Sequence, residues 1–191
     1  MQPNRQRPKF GATKVLLMGC AILMLWQGIP VWAAEPTTQD APSQSLISAS
    51  PIKSPVHLYF ADRNNHFLTA EQRVISHLET AVSLAEAIIE ELIKGPQAGH
   101  IKTIPPGTQL RAIYITPDGS CYVDLSEEVK KHHPGGSKSE LFTLYSMVNS
   151  LVLNVPEIER VKILIDGKEA LTLAGHIDLQ PPVKANMLLI R

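Results

Sequence analysis

Cysteine is nearly missing from this chain. Its 191 residues include two, and Cys121 alone lies outside the apolar N-terminal stretch. One thiol cannot form an internal disulfide, so apolar burial must hold the fold. Neither sign of charge is in excess, with 18 basic and 18 acidic residues. No long basic run is present, which removes the electrostatic footprint of a nucleic-acid binder. No basic amphipathic helix points to a membrane surface. No apolar run reaches the roughly 20 residues of a membrane span; Val15 to Trp26 falls short of it. A G-x-S-x-G elbow is missing, as is a phosphate-loop lysine at the required spacing around Gly135-Gly136-Ser137.

What is present begins with an export signal. Arg5, Arg7, Lys9 and Lys14 form a basic opening, Val15 to Trp26 an apolar core, and Val31-Trp32-Ala33 a small-x-small cleavage site. This is the three-part layout of a secretory signal peptide over residues 1–33. Two other readings of the same residues stand beside it. The segment could remain as an uncleaved anchor in the inner membrane. Alternatively, Leu17-Met18-Gly19-Cys20 has the form of a lipobox, with lipidation of Cys20, although the apolar run continues past that cysteine. The expected location is exported, periplasmic or extracytoplasmic, with membrane contact only through this N-terminal segment or a lipid. The leader takes four of the 18 basic residues and no acidic one, so the remainder carries 14 against 18, a net charge of −4.

Residues 34–55, with Pro36, Pro42, Pro51 and Pro55 among Ser, Thr, Gln and Ala, read as a flexible tether. A single α+β domain is expected over 56–182, followed by a tail at 183–191. Val56, Leu58 and Phe60 alternate as one face of a first strand, and Leu68 to Ile75 could hold a short second one. Ala81, Leu84, Ala85, Ile88, Ile89 and Leu92 form a helical stripe that starts at Thr80 or Ser83 and stops at Gly95-Pro96. Leu110 to Thr116 and Cys121 to Leu125 form antiparallel strands around Pro117-Asp118-Gly119-Ser120. Cys121, in phase with Val123 and Leu125, reads as a buried apolar residue.

Ser137 and Glu140 have capping-box spacing before a second helix with Leu141, Leu144, Tyr145, Val148, Leu151 and Val152 on its apolar stripe. Val161 to Ile165 is a strand, and Asp166-Gly167 turns it toward Ala170 to Leu173. The order is βαββαβ, which predicts a mostly antiparallel sheet with two helices on one face and the other face free for docking.

The punctuation resembles that of the GerMN domain, named from bacterial sporulation and spore-germination proteins. The pieces are Leu92-Ile93-Lys94-Gly95-Pro96, Ile104-Pro105-Pro106-Gly107-Thr108, Tyr122-Val123-Asp124-Leu125-Ser126, Gly136-Ser137 with Glu140, Val161 to Gly167, and Thr172 to Asp178. The resemblance implies a fold similar to ring-building motifs of envelope machines and a non-enzymatic role in assembling envelope complexes. It carries no catalytic motif. The positions Gly95, Pro96, Pro105, Gly107, Asp124, Ser137, Glu140, Asp166, Gly167, Gly175, His176 and Asp178 are expected to shape the backbone. Spore-forming members typically carry two copies, whereas this chain has one.

Competing chemistry is thin. His132-His133 with His176 and Asp178 could suggest a metal, but neighbouring histidines diverge and no third ligand has suitable spacing. Asp124, Glu127 and Glu128 could suggest acid–base catalysis, and a wall hydrolase could use Asp124 and Glu127 with His132 and His133, yet the sequence shows neither the cleft nor the opposed geometry that such work requires. Ser137 and Ser139 read as caps rather than nucleophiles. The expectation is a protein with no catalytic residue, cofactor or metal, whose partner is an envelope protein or a second copy. Binding of peptidoglycan or another envelope glycan through exposed Tyr59, Tyr114 or Tyr122 is the alternative.

Overall fold

A computed structural model describes residues 51–77 and 79–191. The leader, its cleavage point, Cys20 and residues 34–50 of the tether lie outside the described residues.

The first strand, β1 (Ile52–Ala61), is longer than Val56 to Phe60 and begins inside the segment read as tether. It pairs antiparallel with β2 (Leu68–His77) along its whole length, from Ile52 opposite His77 to Ala61 opposite Leu68. The short strand expected within Leu68 to Ile75 is therefore a full hairpin partner. Val56, Leu58 and Phe60 point inward and are buried. On β2 the inward positions are Glu71, Arg73 and Ile75, two of them charged.

Helix α1 (Ala81–Lys94) starts at Thr80, whose hydroxyl accepts the Ser83 amide at 3.1 Å. It ends where Gly95, at φ 99°, donates its amide to Glu91 and Leu92 carbonyls. A left-handed residue there favours glycine. Ala85, Ile88, Ile89 and Leu92 are buried against the hairpin and the second sheet. Burying each of the larger side chains contributes about 1.5–3 kcal/mol.

The second sheet has the order β3-β4-β5-β6. Strands β3 (Leu110–Ile115) and β4 (Ser120–Leu125) are antiparallel neighbours, as their turn chemistry predicts, with a bulge between Leu110 and Ala112. A short turn, α2 (Glu128–Lys131), and helix α3 (Ser137–Val152) then cross over to β5 (Arg160–Ile165), which lies parallel to β4. Asp166 (φ 49°) and Gly167 (φ 73°) are the two central residues of a tight hairpin with Ile165 opposite Lys168. Positive φ at both is what a type I′ turn demands.

The α+β class holds, and the first strand belongs to a separate two-stranded sheet rather than to the main one. The strand expected at Ala170 to Leu173 does not form; the chain pairs with β5 just before it, as the two-residue β6 (Lys168–Glu169). Leu173 leaves the sheet to enter the core while Leu171 stays 69% exposed, a division that a regular strand continuing to Leu173 does not make. Cys121, Val123, Leu125, Val161 and Ile163 form the inner face of this sheet, packed with residues of α1 and α3. Burial raises the Cys121 thiol to about 12, so it stays protonated and inert.

Helix α3 is buried around most of its circumference, well beyond the expected stripe. Phe142, Thr143, Ser146, Met147, Asn149 and Ser150 are buried along with Leu144, Val148 and Leu151. The reason lies at β1. Ser146 Oγ donates to the Tyr59 carbonyl at 2.6 Å, and Ser150 Oγ accepts the Tyr59 amide at 3.0 Å. Asn154 then pairs with both the amide and the carbonyl of His57, at 2.9 and 2.8 Å. A row of polar side chains one helical turn apart thus replaces the missing neighbour strand of β1. Near the C terminus, Val183 bridges Val161, Asn186 bonds Asn149, and Ile190 bridges Leu68.

Candidate functional site: carboxylate clamps and an open sheet edge

Three buried carboxylates organise most of the polar residues singled out in the sequence. The first is Glu140. Its capping-box role does not form: the cap position of α3 is Gly136 and no side chain bonds the helix start. Glu140, 0% exposed, turns instead to the loop at 174–177. It accepts the amides of Ala174, His176 and Ile177 at 3.0–3.2 Å and meets His176 Nδ1 at 2.6 Å. Spacing three residues after Ser137 suggests a local partner, but a loop 34 to 37 residues further on supplies the donors. Burial pushes this carboxyl up, yet the Ala174 amide, His176 and the further amides outweigh it and bring it to about 2. Ser137 and Ser139 are likewise not side-chain caps; Ser139 contributes its carbonyl to Thr143.

The second clamp is Asp124. One oxygen accepts the Gly167 amide at 2.8 Å and the other accepts Arg111 Nε at 3.2 Å, while Arg111 reaches Asp166 at 3.5 Å. The β5–β6 turn is thereby fastened to β4.

The third went unremarked in the sequence. Arg73 bonds Glu71 at 2.6 and 2.8 Å, Glu91 at 2.8 Å and the Gly95 carbonyl at 2.6 Å. Glu71 also accepts the amides of Gln97 and Ala98. Burial raises Glu71, but the Ala98 amide, Arg73 and the Gln97 amide together hold it below the ordinary carboxylate value. The available signal was the phase of Glu71 and Arg73 with Ile75, which placed two charges on the inner face of a strand.

The remaining motif positions are backbone devices. Thr108 Oγ donates to the Pro105 carbonyl at 2.8 Å, with Gly107 at φ 79° between them. Pro96 follows the α1 cap, Gly175 has φ 111°, and Asp178 accepts the Gln180 amide at 2.8 Å.

The histidines are not brought together. His132 pairs with Glu128 at 3.0 Å, His133 with Thr143 at 3.0 Å, and His176 with Glu140. Burial lowers His133. No group of three His, Cys, Asp or Glu among the described residues could hold a metal ion. Glu127 pairs with Lys131 at 2.9 Å and shares an open groove with Asp166 and Glu169, which are themselves ion-paired with Arg111 and Lys162. No helix among the described residues is long and apolar enough to cross a membrane.

Three surface features remain. Tyr114 is 60% exposed and lies directly opposite half-buried Tyr122 on the outer face of the second sheet. Tyr59, expected on the surface, is buried beside Leu68 and Phe142. A largely apolar groove of about 470 Å³ is lined by Ile101, Pro105, Pro106, His132, Pro134 and Phe142. Among the described residues, nothing pairs with the outer edge of β2 between Ala70 and Ser76.

Comparison with known proteins follows this architecture. The first GerMN domain of the sporulation protein GerM from Bacillus subtilis matches with 21% identity and a TM-score of 0.54, over 70% of this chain and 98% of that one. The tandem GerMN domains of the same protein match at 21% identity and a TM-score of 0.56, over 70% of this chain and 46% of the tandem. A candidate lipoprotein from Clostridium perfringens matches at 21% identity and a TM-score of 0.50, over 71% of this chain and 88% of that one. No curated protein matches the sequence. At this identity the structures speak for the fold. The family model called Germane, described as sporulation and spore germination, matches residues 57–171, and the chain belongs to this GerMN-domain family.

Proposed function

We propose that this protein is an exported, non-enzymatic assembly module of the bacterial cell envelope, acting by contact with another protein. One observation carries the reading. The buried carboxylates that could do chemistry are bonded to backbone amides and arginines within the domain, which leaves them no role toward a substrate. The N-terminal leader and tether are consistent with export and with a domain held at some distance from a membrane. The relatives named for sporulation and as a lipoprotein supply the envelope setting by analogy of fold.

Affinity capture from crosslinked envelopes, with intact-mass measurement of the captured chain, tests the proposal. A co-purified envelope protein or a second copy is expected. A strictly monomeric chain with no crosslinked partner contradicts it.

Tyr114 and Tyr122 support a second reading, envelope-glycan binding. They are cross-strand neighbours on an outward sheet face, where a sugar ring can stack. Co-sedimentation with purified cell-wall sacculi, lost on Tyr114→Ala, is the outcome it requires. An empty pellet removes it.

A further inference from the structure

The two edges of the β1–β2 hairpin are treated differently. On β1, the backbone groups of His57 and Tyr59 point away from β2 and are bonded by Asn154, Ser146 and Ser150; Ala61 receives the Ile101 amide at 2.8 Å. Antiparallel pairing then fixes which groups of β2 face outward. They belong to Ala70, Gln72, Val74 and Ser76, and among the described residues these groups have no partner. At Leu68 the same edge is already occupied: Ile190 bridges it in parallel and the Arg191 amide donates to its carbonyl at 2.9 Å.

Free edges are normally blunted by shortness, bulges, Pro or exposed charge. Strand β3 uses two of these, being six residues long with a bulge near Arg111. Strand β2 uses none. It has ten residues in unbroken register and contains no Lys or Pro. Its outward side chains, Ala70, Gln72, Val74 and Ser76, are uncharged and exposed, with Val74 at 67%. Glu71 and Arg73 neutralise each other on the inner face. Beside the edge runs a groove of about 420 Å³ whose other wall is the flank of α1, with Ala87, Glu90 and Lys94.

We propose that a second copy of this chain adds antiparallel to β2 along Ala70 to Ser76, with the two-fold axis at Val74. The proposal rests on the assembly reading and assigns its surface. Two copies joined this way close both open edges at once, which a two-fold contact requires. The alternatives are less favourable, and an axis at Ile75 leaves only Val74 and Ser76 of β2 to exchange bonds. An axis at Arg73 sets arginine against arginine, a destabilising like-charge pair. An axis at Gln72 pairs Ser76 with Leu68, whose carbonyl is already taken. An axis at Val74 places Val74 against the partner's Val74, Gln72 against the partner's Ser76, and Arg73 against the partner's Ile75. About six inter-chain hydrogen bonds form. The flanking helices become antiparallel neighbours, and Glu90 and Lys94, of opposite sign one turn apart, are self-complementary across the axis.

Cysteine crosslinking of the full chain in intact envelopes tests this. Hydrogen-bonded antiparallel pairs have Cα atoms about 5.5 Å apart, within disulfide range; native Cys121 is buried, and Cys20→Ser is carried in every variant. Val74→Cys is expected to give a covalent dimer on oxidation, as is Gln72→Cys combined with Ser76→Cys. Gln72→Cys alone and Leu171→Cys, exposed at 69% on another surface, are expected to stay single. Val74→Lys is expected to abolish the dimer seen by light scattering of the detergent-extracted chain. If Leu171→Cys crosslinks and Val74→Cys does not, the edge proposal falls while the assembly reading stands. If neither crosslinks, the extracted chain scatters as a monomer and no partner is captured, both fall.

Discussion

Helices α1 and α3 carry comparable start signals and use them in opposite ways. Thr80 caps α1 as local rules require, Gly95 closes it, and its buried residues are apolar. At the start of α3, Ser137 and Glu140 have the spacing of a capping box, yet Glu140 bonds a loop 34 to 37 residues away and Gly136 holds the cap position. Further along α3, Ser146 and Ser150, with Asn154 just past its end, bond a strand roughly ninety residues earlier. Helix α1 sits at the rim of the core, where water can satisfy its polar face. Helix α3 is enclosed from Glu140 to Leu151, so its buried polar groups need partners within the protein. The difference shows that enclosure overrides local capping preference.

Substitutions along the two helices can break this comparison. The largest effect is expected at Glu140→Ala, which strands three amides and His176 next to a buried void; a loss of about 3–5 kcal/mol is expected from urea unfolding. A cost near that of an ordinary exposed cap would undo the argument. Arg73→Met is expected to cost a similar but slightly smaller amount, because Glu71 keeps the Gln97 and Ala98 amides after losing its cation.

The Glu140 contribution has a definite pH dependence. Its carboxyl is lowered to about 2 from an ordinary value of 4.5. Stability from this group is therefore fully present above the unfolded-state value and is lost as pH falls through the folded one. The gap between wild type and Glu140→Gln should be widest at neutral pH and narrow between about pH 4.5 and pH 2. A constant gap across that window would show that the carboxylate charge is not what holds the loop.

Smaller effects sharpen the contrast. Ser150→Ala leaves the buried Tyr59 amide without its acceptor, and about 1–3 kcal/mol is expected. Thr80→Ala removes a working cap, at about 1 kcal/mol. Ser137→Ala removes a cap that does not exist and should fall within about 0.5 kcal/mol. The order Ser150, Thr80, Ser137 in chemical denaturation checks all three; equal losses at Thr80 and Ser137 would restore the capping box.

The same distinction explains what could be read from the sequence. Gly95-Pro96, Asp118-Gly119 and Asp166-Gly167 are local instructions, and each joint stands where it was expected. The stripe on α1 and the strands around Asp118-Gly119 were legible for the same reason. Glu71 and Arg73 hid β2, because two charges at core-facing positions break the apolar alternation that marks a half-buried strand. Their partners, Glu91, Gly95, Gln97 and Ala98, follow about twenty residues later, and no periodicity reports such a match. Tyr59 was misplaced because alternation put it on the solvent side of β1, where Phe142 covers it instead. The clamps were present in the motif as Asp124, Glu140, Gly167 and His176, but which residue bonds which became visible only in three dimensions.

The fold bonds its polar groups inward and, among the described residues, leaves the long, unblunted edge of β2 for a partner. Residue-resolved hydrogen exchange measures this directly. In the dilute monomer the amides of His57 and Tyr59 should be protected, while those of Gln72 and Val74 exchange freely; at concentrations where the chain assembles, Gln72 and Val74 should slow. Protection of Gln72 and Val74 already in the monomer, or their continued rapid exchange in the assembled protein, would contradict it.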